Sequence, residues 1–148
     1  MVVESNSLYL FLIQQLLCQC DYKVTSCKQV QEAISFVLEN QQSIDLIISD
    51  AFLPSEDGLL ILETIALKFG IPVVIMSWNG ETSTLMKFIA YGACDYLVKP
   101  VTLKELKNIW THVFRKQIGD QMKYLLEIRI KHNNNNNNVL EPVEETKL

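Results

Sequence analysis

DLIISDAFLPSEDG, at residues 45–58, contains the features that decide the fold. Its isoleucine-rich start, Asp45–Ser49, predicts a short buried strand that brings the carboxylate of Asp50 to the strand's end. A loop with Pro54 and Gly58 follows, and a helical pattern comes after it. In open α/β sheets, reactive and ligand-binding groups lie in the crevice at the carboxyl ends of the strands. Asp50 is therefore predicted to take part in chemistry rather than to hold the fold.

A second predicted strand end carries the opposite charge. DYLVKP, at residues 95–100, places Lys99 at the end of another short apolar run. A lysine ammonium is a compact point charge that pairs well with phosphate oxygens. An acid and a lysine on neighbouring strand ends therefore suggest a site that handles phosphate.

Strand and helix patterns alternate along the first 117 residues. The predicted strands are Met1–Val3, Tyr22–Ser26, Asp45–Ser49, Pro72–Met76 and Asp95–Val98. The predicted helices are Leu8–Cys18 with Ser7 as N-cap, Val30–Leu38, Leu59–Phe69, Thr84–Tyr91 and a last helix from the capping box Thr102–Glu105 through Gln117. Five β–α pairs of this size predict an α/β fold, a doubly wound (βα)5 domain. The expected parallel sheet is flavodoxin-like, with strand order 2-1-3-4-5.

Length and composition limit what the chain can be. With 148 residues, 49% of them hydrophobic, it can bury one ordinary core. We expect one domain at residues 1–117, and at 118–148 a helical extension followed by a disordered tail rich in asparagine and acidic residues. A net charge of -4 argues against general nucleic-acid binding. The start of the chain lacks a basic segment, and no apolar run is long enough to span a bilayer, so an intracellular, soluble protein is expected.

The four cysteines do not have the spacing of a metal site. Cys18, Cys20 and Cys27 are close in sequence and Cys94 is distant, without the paired spacing that zinc sites show. Ordinary thiols are the expected state.

Several separately placed motifs resemble the receiver domain of two-component response regulators. They are Asp50 with Pro54 and Gly58, Ser77 at the end of the fourth strand, and Tyr96 with Lys99 and Pro100. The resemblance covers residues 1–117, and the segments GACDYLVKPV and ELKNIWTHVFRKQ look most like those of plant type-B response regulators. Those proteins act in cytokinin-type phosphorelay signalling and carry a Myb-like DNA-binding domain after the receiver. The 31 residues after Gln117 are too few and too polar to form one, so a receiver without its output domain is expected.

The resemblance implies a role for each site residue. Asp50 would be the phosphoacceptor, taking phosphate from a histidine-containing phosphotransfer protein, with Lys99 on the phosphoryl oxygens. Mg²⁺ would be held by Glu4, Asp50 and the backbone carbonyl of Phe52. Ser77 would bind the phosphate, and Tyr96 would follow it as a switch. The switch would reshape the face of the last two helices and the strand between them, through which other receivers or transcription factors would bind.

The family also implies what kind of protein this is. A receiver is a phosphoacceptor and not a turnover enzyme, and neither direct nucleic-acid contact nor a membrane is expected. Nucleus, cytoplasm or both are the expected locations. A role in transcription regulation would come through its partners.

The sequence departs from the receiver pattern at the metal site and at the start. Glu4-Ser5-Asn6 replaces the family's run of aspartates, and Ser5 occupies the position that usually contacts the metal most directly. Mg²⁺ binding is therefore expected to be weakened or absent. Only Met1–Val3 precede the acidic position, so the first strand is expected to be unusually short, as in an incomplete gene product or a degenerate relative. Trp78 stands where receivers commonly have a small residue, and would hinder the donor or contact a partner.

Other interpretations remain open from the sequence. The chain could be a pseudo-receiver, a protein-interaction module that works without phosphorylation. Glu4 could be a solvated strand-end residue, Ser77 a partner of a loop amide, Tyr96 plain core and Asp57 a turn residue. A lysine before a proline often marks a cis bond. A phosphatase with paired strand-end aspartates is disfavoured, because Phe52 stands where the second acid would be.

Overall fold

Five short parallel strands form the sheet at the centre of the structure, a computed structural model that describes residues 1–54 and 58–137. The strand order β2-β1-β3-β4-β5 confirms the predicted doubly wound, flavodoxin-like sheet. The strands are β1 (Val2–Val3), β2 (Ser26–Cys27), β3 (Ile47–Asp50), β4 (Val73–Ser77) and β5 (Asp95–Val98). Strand β1, which lies between β2 and β3, is short, as expected, and its two residues pair with both neighbours.

Helices follow the strands. They are α1 (Ser7–Gln19), α2 (Val30–Asn40), α3 (Leu59–Ile61), α4 (Leu67–Phe69), α5 (Thr82–Ala90), α6 (Leu103–Lys107) and α7 (Trp110–Asn137). A 3₁₀ turn at Gln41–Ser43 follows α2, and a π-helical turn at Leu62–Ala66 joins α3 to α4. This continuous helical segment ends at Gly70, whose φ of 63° lies in the left-handed region that glycine adopts without strain.

Two apolar cores cover the two faces of the sheet. Because side chains alternate across a strand, Val3, Ile47 and Val73 face one core while Val2, Ile48 and Val74 face the other. The first core is closed by α2, α3, the π turn and α5, and the second by α1 and α6. The strand ends are left open between the two layers, which is where the site lies.

Three local predictions were wrong. The second strand is Ser26–Cys27 rather than Tyr22–Ser26, because the two residues of β1 offer partners only to Ser26 and Cys27. The N-cap of α1 is Asn6 rather than Ser7: the Asn6 side chain accepts the N–H of Tyr9 at 2.9 Å.

The helix that follows Thr102 is also not continuous. The capping box of Thr102 and Glu105 is present, yet α6 ends at Lys107 and α7 begins at Trp110. The N–H groups of Asn108 and Ile109 bond three residues back instead of four, which tightens the chain between the two helices.

The chain divides into two units, Met1–Val113 and Phe114–Leu148. In the second unit α7 continues to Asn137 and takes in the first five asparagines of the run that was expected to be disordered. The expected disorder of residues 138–148 falls outside the described residues, and the domain division at 117/118 stays a prediction. In the part of the chain that is described, no helix is both long and apolar enough to cross a membrane.

Candidate functional site

Three charged side chains meet where the strands end. Glu4 follows β1, Asp50 ends β3 and Lys99 follows β5, so parallel strands deliver all three to the same edge of the sheet. The Nζ atom of Lys99 lies 2.7 Å from Oε2 of Glu4 and 3.2 Å from Oδ2 of Asp50. The structure therefore brings the acid and the lysine together, although their strands are not neighbours as predicted: β4 lies between β3 and β5.

This ionic cluster is shielded from solvent. The side chains of Glu4 and Lys99 are 1% and 2% exposed, and that of Asp50 is 13% exposed. Glu4 is thus not the solvated strand-end residue that the alternative interpretation supposed. Two carboxylates and one ammonium leave a formal charge of -1, which makes the site attractive to a further cation.

Backbone amides fix the two carboxylates. The N–H of Asn6 donates to Oε1 of Glu4 at 3.0 Å, and the N–H of Phe52 donates to Oδ1 of Asp50 at 3.3 Å. Gly58 keeps the loop after β3 close to the acceptor: a Cβ there would lie 2.9 Å from the carbonyl oxygen of Asp50. No other residue fits this approach without moving the backbone.

The donor set fits Mg²⁺, with Glu4 and Asp50 as its two carboxylates. Mg²⁺ is usually bound by one or two carboxylates together with waters and phosphate oxygens. Glu4, Ser5 and Asp50 line one cavity of about 480 Å³ that also reaches Lys99. Among residues 1–54 and 58–137, no three acidic, histidine or cysteine side chains cluster tightly enough to hold a metal. All four cysteines are described, and each has a free thiol.

Asn79 connects Ser77 to Tyr96. Its N–H donates to the buried Ser77 hydroxyl at 3.1 Å, and its carbonyl accepts the Tyr96 hydroxyl at 2.7 Å. Its side-chain amide donates to Thr84 in the first turn of α5. Tyr96 is also core, since its ring lies 5.9 Å from that of Phe88. Sequence reasoning missed Asn79, although Asn-Gly after a strand end was a turn signal that marked it.

Two aromatic rings lie beside Lys99. Its Nζ atom is 4.6 Å from the centre of the Tyr9 ring and 5.8 Å from that of Trp78, and the two rings meet edge-on at 5.5 Å. Burial raises the pKa of Tyr9 above its ordinary value, although the amide of Val101 and the charge of Lys99 act in the opposite direction. Tyr9 could not be predicted as a site residue from the sequence, because there it is one more apolar position of the first helix.

The peptide bond between Lys99 and Pro100 is cis. The N–H of Lys99 donates to the carbonyl of Ser77 at 2.8 Å, which joins the ends of β4 and β5 next to the ammonium. Asp57, expected to be a turn residue, lies outside the described residues.

Comparison with known proteins identifies the family. The response regulator receiver domain model matches residues 1–111. The chain belongs to the response regulator receiver domain family. It is 54% identical over 120 residues to the two-component response regulator EHD1 of Oryza sativa subsp. indica, a match that covers 81% of this chain and 35% of the relative. It is 42% identical over 120 residues to the regulator ARR11 of Arabidopsis thaliana, covering 81% of this chain and 23% of that one. The chain therefore spans about a third or less of these relatives.

Solved receiver structures have the same fold. The receiver domain protein from Clostridium thermocellum superposes with a TM-score of 0.73 at 29% identity and covers 79% of this chain and 94% of its own. A CheY-like receiver from Methanospirillum hungatei superposes with a TM-score of 0.69 at 21% identity, with 80% and 94% covered, which supports the fold alone. Receivers are signalling domains that generally bind Mg²⁺ at the phosphorylation site, and plant response regulators work in His-to-Asp phosphorelays with phosphotransfer proteins.

Proposed function

We propose that this receiver accepts a phosphoryl group on Asp50 from a phosphohistidine of a histidine-containing phosphotransfer protein. The observation that carries the proposal is the distance of 3.2 Å between Nζ of Lys99 and Oδ2 of Asp50, inside a cavity that opens at the strand ends. An Asp50 oxygen forms the new bond to phosphorus while the bond from phosphorus to the histidine nitrogen breaks, and its electron pair stays on the imidazole. Lys99 neutralises the phosphoryl oxygens as they approach the carboxylate.

Mg²⁺ binding is proposed to be weak in this chain. Glu4, Asp50 and the backbone carbonyl of Phe52 would hold the ion, and its charge would offset that of the incoming phosphoryl group. Ser5 contributes a hydroxyl where the family has a carboxylate, and Oε2 of Glu4 is already paired with Lys99. The ion therefore meets one charge fewer than in a receiver with an intact acidic pair.

The output is proposed to run through Asn79. A phosphoryl group that draws the Ser77 hydroxyl toward Asp50 would break the hydrogen bond from Asn79, whose carbonyl holds the Tyr96 hydroxyl. Tyr96 would then follow, as a bistable element biased by phosphorylation. The face that it changes, formed by α5, β5 and α6, has the exposed apolar side chains Met86, Ile89 and Val98.

Further properties of the family are proposals for this chain. Partners on the output face would be other receivers or transcription factors, in a cytokinin-type pathway and in the nucleus, as the plant relatives suggest. The phosphorylation-independent module is not favoured, since the family match and the relatives are those of phosphorelay receivers.

A transfer experiment tests the proposal. Purified chain, mixed with a ³²P-labelled phosphotransfer protein and Mg²⁺, is expected to take label more slowly than receivers that retain the acidic pair, because its metal site lacks one carboxylate. The transfer is followed by gel autoradiography over time. Asp50→Asn is the matched control, with the same shape but no nucleophilic carboxylate. Equal labelling of the two proteins, or none in either, would overturn the assignment of Asp50.

A further inference from the structure

Trp78 is an exposed aromatic residue placed directly beside a buried charge. Trp78 is 64% exposed, whereas the side chain of Lys99 beside it is 2% exposed. The indole lies 5.8 Å from the ammonium and lines the same cavity as Asp50. An aromatic face within about 6 Å attracts a cation, so this contact with Lys99 favours the position of the Trp78 ring beside the cavity.

The ring of Tyr9 packs against Trp78 and is itself fixed in position. The Tyr9 hydroxyl accepts the N–H of Val101 at 3.0 Å, and the residue is 9% exposed, so its ring is held between α1 and the segment after β5. The two rings meet at 61° with centres 5.5 Å apart, the edge-to-face geometry that aromatic pairs favour. Trp78 therefore packs against the Tyr9 ring and makes a cation–π contact with the ammonium of Lys99.

We propose that Trp78 is an aromatic lid, seated on Tyr9, that shields the Lys99 ammonium and a phosphoryl group on Asp50 from water and so prolongs the life of the phosphorylated state. The lifetime part rests on the proposed function. In hydrolysis a water oxygen bonds to phosphorus, the bond from phosphorus to Asp50 breaks, and inorganic phosphate leaves with the carboxylate regenerated. The lid slows this step by limiting the approach of water to the phosphorus.

The first test does not need phosphorylation. Lys99 of the unphosphorylated protein is acylated with acetic anhydride, and its modification is followed by peptide mass spectrometry against the exposed Lys68 and Lys87 as internal standards. Trp78→Ala is expected to raise the relative reactivity of Lys99 about tenfold, because it removes the wall over the amine and its cation–π contact. Tyr91→Ala, which removes an exposed aromatic ring that does not line the cavity, is expected to leave it unchanged. Equal reactivity of Lys99 in Trp78→Ala and the wild type would overturn the lid.

The second test measures the lifetime. After removal of the donor, label on Asp50 is expected to decay about tenfold faster in Trp78→Ala than in the wild type, with Trp78→Phe close to the wild type because it keeps a ring. An unchanged decay in Trp78→Ala would overturn the proposal whatever the acylation shows. If Asp50 takes no label at all, the proposed function fails, and Lys99 reactivity alone then decides whether Trp78 is a lid.

Discussion

Lys99→Met is expected to lower the free energy of unfolding by about 3 kcal/mol, since removing one partner of a buried ion pair leaves an uncompensated charge. The methionine keeps most of the length of the side chain, so the cavity that it leaves is small. Two carboxylates then remain at the strand ends without a cation, one of them only 1% exposed. The cost is electrostatic rather than a loss of packing.

Urea unfolding followed by circular dichroism measures this loss. Lys116→Met is the matched control, because Lys116 also pairs with an acid at 3.2 Å, but both side chains are more than a third exposed. It is expected to cost at most about 0.5 kcal/mol. Adding Glu4→Leu to Lys99→Met should recover about half of the loss, because apolar residues often replace a buried pair without penalty. A loss for Lys99→Met no larger than for Lys116→Met would contradict the buried ionic cluster.

Ser5→Asp is expected to raise the affinity for Mg²⁺ at least about tenfold. A carboxylate about 4 Å from a divalent cation gains about 8 kcal/mol at an effective dielectric near 20, and desolvation offsets most of this. A remainder of about 1.4 kcal/mol is enough for a tenfold change. Because Ser5 lines the same cavity as Asp50, the added charge would act on the bound ion directly.

Tryptophan fluorescence during a Mg²⁺ titration reports the affinity. Trp78 lines the cavity, and replacing Trp110 by Phe leaves it as the single tryptophan. Ser5→Asn has the shape of aspartate without its charge and is expected to change the affinity little. A similar rise in affinity in both variants would show that shape, not charge, limits Mg²⁺ binding. No rise in affinity with Ser5→Asp would show that Ser5 is not the cause of weak Mg²⁺ binding. Faster phosphotransfer in Ser5→Asp alone would link the metal defect to the rate.

Local patterns predicted the fold because buried parallel strands are short apolar runs, and the helices between them repeat apolar residues at helical spacing. The short apolar runs of β3, β4 and β5 and the helical apolar stripe on α2 needed no knowledge of the rest of the chain. The second strand was misplaced because its length depends on how many residues of β1 are available to pair with it. Only the tertiary structure decides that number. The break after Lys107 was missed for a similar reason, since no glycine or proline marks it.

The sequence predicted the acid and the lysine of the candidate site, but it did not predict the contacts within the site. Asp50 and Lys99 were recognisable from their strand ends, whereas the pairing of Glu4 with Lys99 joins residues 95 positions apart. Hydrophobic periodicity along the sequence cannot predict such a long-range contact. Tyr9 and Asn79 were missed because each resembles an ordinary helix or turn residue until the neighbouring strands bring its partners close.

Locating the phosphoryl group itself tests directly whether Asp50 is the phosphoacceptor. The chain is phosphorylated from a histidine donor, treated with hydroxylamine, which converts an acyl phosphate to a hydroxamate, and digested for mass spectrometry. We expect a hydroxamate at Asp50 and at no other carboxylate. A hydroxamate at Glu4, or one that forms equally in Asp50→Asn, would contradict it.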